Sequence, residues 1–176
     1  MPAQLFNNSS QTDSAKTLAD ILLGQGSITA EQARQIKFTE IQTGKTQEEI
    51  ILEQGVVFEE ALVRAKSTLY NIPYLNIETA PTSPEALSIL PQQVAQRFRV
   101  FPVSIDKNNK ILNLVMSDPL DLTAIGFVEQ KTGYHVKPFA GEPEKIDRMV
   151  ATSYSSSLAK EVTEALKEVA PEKRRV

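Results

Sequence analysis

Up to Asn71 the apolar residues recur at helical spacing, and from Ile72 onward they alternate or fall in short runs. Leu18, Ile21 and Leu22 share one helical face, and Gly26 ends that helix. Thr29 caps the next, in which Ala33, Ile36 and Ile41 carry an apolar stripe to Thr43-Gly44. The same design is then written again at an offset of 29 residues: Ile21-Leu22-Leu23-Gly24-Gln25-Gly26 lies over Ile50-Ile51-Leu52-Glu53-Gln54-Gly55. Thr17, Ala33 and Lys37 likewise lie over Thr46, Leu62 and Lys66. A short unit used twice predicts two helical hairpins, with Gly26 and Gly55 left-handed at equivalent turns. Glu48-Glu49 and Glu59-Glu60 suit the first turns of the helices they open.

The second half alternates between strand and helix patterns. Asn71-Ile72-Pro73 breaks the helix, Tyr74 to Ile77 reads as a strand, and Pro81 to Pro84 as a turn. A helical segment from Pro84 to Phe98 is interrupted at Leu90-Pro91. Val100 to Ile105 and Lys110 to Met116 read as a hairpin around the turn residues Asp106 to Asn109. A helix ending at Thr132-Gly133, a strand from Tyr134 to Phe139 and a helix from Pro143 to Tyr154 follow. The expected class is α+β: a helical hairpin-repeat subdomain over 16–71, then a small α/β subdomain with a mixed sheet over 72–154. Residues 1–15 are polar and expected to be disordered. Residues 155–176 read as a polar linker and an amphipathic tail helix, with Leu158, Val162, Leu166 and Val169 on one face and a basic end at Lys173-Arg174-Arg175. Such a tail implies continuation into a longer protein.

Composition narrows the function classes. A net charge of −3 supplies no cationic footprint for nucleic acid. The chain has no Cys, which removes thiolate nucleophiles, thiolate metal sites and disulfides. No apolar run approaches the length of a membrane span, so membrane contact is expected only through partners and the expected location is cytoplasmic. Asp118 and Asp121 are spaced for turn and N-cap chemistry rather than for a metal. His135, the single histidine, lies in a strand pattern with no nucleophile beside it. Arg97 and Arg99 flank Phe98, a pattern that fits a protein contact surface or simply solvated charge. No catalytic residue, metal site or cofactor is assigned.

Several of these segments together resemble a known family. Leu90-Pro91, Val100-Phe101-Pro102-Val103, Leu114-Val115-Met116-Ser117-Asp118-Pro119-Leu120-Asp121, Thr132-Gly133 and the helix from Ile146 to Tyr154 are similar to the MshEN-like amino-terminal region of GspE/PilB-type ATPases. These hexameric motors power type II secretion and type IV pilus assembly. The resemblance runs from about Lys16 to Tyr154 and implies a regulatory or docking domain. Its implied partners are its own carboxy-terminal ATPase domain and the cytoplasmic domain of an inner-membrane platform protein. No Gly-x-x-x-x-Gly-Lys-[Ser/Thr] loop occurs in the chain, so ATP hydrolysis is not expected of it. In part of the family, tandem motifs resembling Arg-Leu-Gly-x-x-Leu-x-x-x-Gly with a closing Gln bind cyclic di-GMP. Here Leu18, Leu22 and Gly26, with Ile51 and Gly55, hold apolar and glycine positions of that motif. Thr17 and Thr46 stand at its Arg positions, Ala19 and Glu48 at its first Gly, and Glu40 and Leu69 at its Gln. The scaffold is expected to persist without the ligand chemistry; the alternative is a cyclic di-GMP-binding module.

Overall fold

The computed structural model describes residues 15–169, which form two compact units divided between Val57 and Phe58. The first unit contains α1 (Leu18–Gly24), α2 (Ala30–Thr43) and α3 (Gln47–Gln54). All three helices open with a capping box: Thr17 with Asp20, Thr29 with Gln32, and Thr46 with Glu49. In each box the threonine hydroxyl accepts from the third residue's amide, while that residue's side chain accepts from the threonine amide. Leu22, Ile36, Ile50 and Ile51 are fully buried in this unit. Gly26 and Gly55 have φ of +71° and +59°, as the duplicated pattern requires. The two helix ends differ in detail, since α1 stops at Gly24 and turns through Gln25 before Gly26, whereas Gly55 directly follows α3.

The second unit begins with α4 (Glu59–Tyr70), followed by α5 (Pro84–Ile89), α6 (Gln92–Phe98), β1 (Val100–Asp106), β2 (Ile111–Met116), α7 (Leu122–Thr132), β3 (His135–Ala140) and α8 (Pro143–Val169). The sheet order is β1-β2-β3, with β2 antiparallel to β1 and parallel to β3. Pro102 and Pro138 lie in the two edge strands, where a missing amide is tolerated, and β2 has no proline. Its Leu112, Leu114, Val115 and Met116 join Phe101, Ile77, Leu90, Ala124, Val128, Ile146 and Val150 in one core. Gly141 follows β3 at a close approach: a Cβ there would lie 2.2 Å from Cγ1 of the buried, β-branched Val115.

Three expectations are corrected. Tyr74 to Ile77 supplies only a single parallel bridge, Tyr74 to Ala140, because Asn76 turns the chain. Its carbonyl accepts from the Thr79 and Ala80 amides and its side chain from the Glu78 amide. Residues 155–157 are not a linker but part of the continuous α8. No Gly or Pro interrupts 144–169, and the Ser155 and Ser156 hydroxyls donate to carbonyls one turn earlier. The composition shift near Ile72 marks the end of the helical run, but the compact units divide earlier. Leu62, Val63 and Ala65 of α4 are buried, and α4 packs near β3. Residues 1–14 and 170–176, including Lys173-Arg174-Arg175, lie outside the described residues, as does the side chain of Val169.

The first unit carries two measurable consequences. The Lys37 ammonium and the Thr17 groups hold the Asp20 carboxyl down to about 2, from an ordinary value of 3.8. A depressed folded-state value adds stability above the unfolded value and loses it below. The stability gap between the wild type and Asp20→Ala should therefore be constant above about pH 5 and close as pH falls through 3.8 toward 2 in urea titrations. The gap itself is small, because both partners are more than a third exposed and salt screens them. Alanine substitution should have opposite effects at two neighbouring glycines. Gly26→Ala must hold a left-handed backbone and should cost about 1 kcal/mol. Gly24→Ala, in α1 with open space around it, should be neutral or stabilise by roughly 0.5 kcal/mol.

Candidate functional site

The residues that the motif singles out fall in the first unit. Leu18, Leu22 and Ile51 are core side chains, and Gly26 and Gly55 sit at turns with open space around them. Thr17 and Thr46, at the motif's Arg positions, are the N-caps of α1 and α3. Ala19, at the first Gly position, is fully buried, and its amide donates to Gln47 Oε1 at 2.9 Å. Gln47 Nε2 donates in turn to the Glu40 carboxylate at 2.6 Å. One buried carboxamide thus ties α1, α2 and α3 together. It takes up both the amide at the opening of α1 and the carboxylate that replaces the motif's Gln.

Sequence reasoning missed Gln47, although a signal was present. The repeat register sets it opposite Leu18, and both are buried. A polar residue at a core position must find hydrogen bonds there, because leaving an amide unpaired costs about 1–3 kcal/mol. With Asp20 and Glu49 closing their capping boxes, the α1 and α3 openings present carboxylates where an incoming phosphate would need donors.

In the second unit a polar group forms around the start of α8. The Tyr74 hydroxyl donates to the buried Glu142 carboxylate, which also receives the Lys145 ammonium at 3.0 Å. Burial and that bond push the Tyr74 hydroxyl well above its ordinary range, so it stays protonated and donating. Arg64 lies over the Tyr74 ring at 4.4 Å and pairs with Glu60, while Arg148 pairs with Glu78. Burial and the charges of Glu144 and Glu142 raise the carboxyl of Glu59. Each cation here has a carboxylate partner, and the group anchors the α8 opening to α4 and the segment before α5. No local pattern could have announced a pair 68 residues apart.

Of the remaining sequence candidates, Asp118 and Asp121 have structural roles. Asp121 accepts from the Thr123 and Ala124 amides and caps α7, and Asp118 accepts from the Leu120 amide in the preceding turn. His135 is exposed at an edge strand, 3.7 Å from Glu129. Among the described residues no group of three or more His, Cys, Asp or Glu could hold a metal, and no helix is long and apolar enough to cross a membrane. On the surface of the second unit, Pro91, Gln93, Val94, Arg97, Phe127 and Lys131 line a groove of about 350 Å³ between α6 and α7. Along α8, Leu158, Val162 and Leu166 form an exposed apolar stripe.

Residues 70–160 match the MshEN domain. The chain is 27% identical over 124 residues to the type IV pilus assembly ATPase PilB of Thermus thermophilus, covering 70% of this chain and 14% of that protein. It is 22% identical over 138 residues to the PilB of Myxococcus xanthus, covering 78% of this chain and 24% of that protein. The chain therefore spans under a quarter of the length of either relative. Its fold is like that of MshE solved with cdg, with a TM-score of 0.61 at 21% identity over 77% of this chain and 97% of that one. It is also like the N-terminal domain of XpsE, with a TM-score of 0.54 at 19% identity over 76% and 91%. The chain belongs to the MshEN domain family, of the kind carried at the amino terminus of GspE/PilB-type ATPases.

Proposed function

We propose that this chain is the regulatory and docking part of a pilus assembly or secretion ATPase, acting at the cytoplasmic face of the membrane. It would hold the cytoplasmic domain of an inner-membrane platform protein while its own ATPase domain turns over nucleotide. The observation that carries this is that the segment recurs in two PilB proteins as 14% and 24% of their length. The side-chain chemistry agrees with a binding role: Arg64, Lys145 and Arg148 are taken up in ion pairs with Glu60, Glu142 and Glu78, and Asp121 caps the opening of α7.

A second reading, a cyclic di-GMP receptor, is favoured by the fold shared with MshE, which was solved with cdg. Against it stand Thr17, Thr46, Ala19 and Glu40, each already committed to a cap or to Gln47. Fold likeness at this identity does not transfer ligand chemistry. Calorimetric titration of the dinucleotide separates the two, since saturable micromolar binding would favour the receptor.

The docking role predicts an uneven loss on deletion. In the full-length ATPase, removing residues 1–154 should leave basal ATP hydrolysis largely intact while piliation or secretion collapses. Paired ATPase and assembly assays on one truncated protein measure both. Normal assembly without the segment would eliminate the docking role, and proportionate loss of both activities would favour control of hexamer formation instead.

A further inference from the structure

We propose that the groove between α6 and α7 is the docking seat for an acidic segment of a partner protein, one apolar side chain entering between Val94 and Phe127 while carboxylates meet Arg97 and Lys131. The inference rests on the docking role proposed above and names the surface and the chemistry that would serve it.

The groove is built on two aromatic rings. Phe98 ends α6 and Phe127 lies in α7, with ring centroids 5.3 Å apart and planes tilted by 46°. This pair joins the two helices, yet Phe127 remains 38% exposed. Pro91 and Val94 extend the apolar lining along α6. An exposed aromatic beside aliphatic carbon can anchor an apolar side chain.

Charge selects the occupant. Both ionised groups on the lining, Arg97 and Lys131, are cationic, and no Asp or Glu lines the groove. Elsewhere in the second unit Arg64, Arg99, Lys107, Lys145 and Arg148 each have a carboxylate within 4 Å. Among the described residues Arg97 and Lys131 have none; the Arg97 guanidinium instead lies over the Phe98 ring at 5.3 Å. That stacking holds the guanidinium plane in place while its N–H groups stay available for a bidentate carboxylate. Other cations of the second unit, such as Lys110, Lys137 and Lys160, also have no carboxylate within reach, but only here do two such cations line one groove with an exposed aromatic ring among the described residues. Two cations fit a short acidic segment, whereas a polyanion such as nucleic acid would meet repulsion beyond the groove.

The test uses the whole 176-residue chain and three synthetic peptides with the same Leu and Phe positions. One carries Asp and Glu between them, one Asn and Gln, and one Lys. The acidic peptide should bind at least about tenfold more tightly than the other two at low salt, a gap of about 1.4 kcal/mol. Amide shifts should be confined to α6 and α7. The double variant Arg97→Glu with Lys131→Glu changes only exposed groups, and should reverse the preference toward the Lys peptide. Phe127→Ala should weaken all three. Absence of acidic-peptide binding, equal affinity for the acidic and amide peptides, or a preference that survives the charge reversal would overturn the proposal. Stronger retention by phosphatidylserine vesicles than by the acidic peptide, lost in the same double variant, would assign the groove to a lipid surface and overturn it as well. The docking role itself is judged separately: if the peptide test fails while assembly still depends on residues 1–154, docking stands and uses another surface.

Discussion

The structure depends on how short helices close their ends. α1, α3, α5 and α6 have seven, eight, six and seven residues. About four amides at the N-terminal end and four carbonyls at the C-terminal end lack an intrahelical partner, so such helices are mostly ends. Isolated helices under roughly 12–15 residues are marginal in water. The first unit meets the constraint with three capping boxes, left-handed residues at Gly26, Gly44 and Gly55, and the Gln47 bond to the Ala19 amide. The second meets it with Asp121 opening α7, and Asn71, Arg99 and Gly133 closing α4, α6 and α7 in the left-handed region. Burial of Leu22, Ile36 and Ile51 in the first unit, and of Leu112 and Met116 in the second, adds apolar stabilisation to these elements.

That constraint bears directly on function. Helix openings are where a protein binds anions, because free amides and the helix dipole converge there. In this chain the openings of α1 and α3 are occupied by their own side chains, with the Asp20 and Glu49 carboxylates among them. An anionic dinucleotide would have to displace hydrogen bonds already made and tolerate like charge. A shared fold does not by itself carry ligand chemistry from one relative to another. Adhesion to a protein partner needs no such opening, only a surface with shape and charge, which the α6–α7 groove has.

Much of the fold was legible because it is written in local chemistry. The 29-residue offset identified Gly26 and Gly55, Thr29 announced α2, Leu90-Pro91 separated α5 from α6, and Gly133 marked the end of α7. What local chemistry misjudged lay in residues with two uses. Asn76 is compatible with an extended run but turned the chain, and Ser155 and Ser156 suggest a linker yet bond back within a helix. The placement of α4 in the second unit is set by burial of Leu62, Val63 and Ala65, which no repeat can reveal. Of the candidate site, the substitution of Thr for Arg was visible and its capping role was not. The Tyr74 to Glu142 bond and the Phe98 to Phe127 pair depend on tertiary proximity alone.

The helical unit bonds the amides at its helix openings with its own side chains and needs no ligand to satisfy them. The most direct measurement is residue-resolved hydrogen exchange at the Ala19 amide, with and without saturating cyclic di-GMP, in the wild type and in Gln47→Leu. Ala19 should be protected as well as Ile21 and Leu22 in the free wild type, be indifferent to the dinucleotide, and lose protection selectively in the variant. Free exchange at Ala19 in the wild type, or protection that appears only when the dinucleotide is added, would contradict the account.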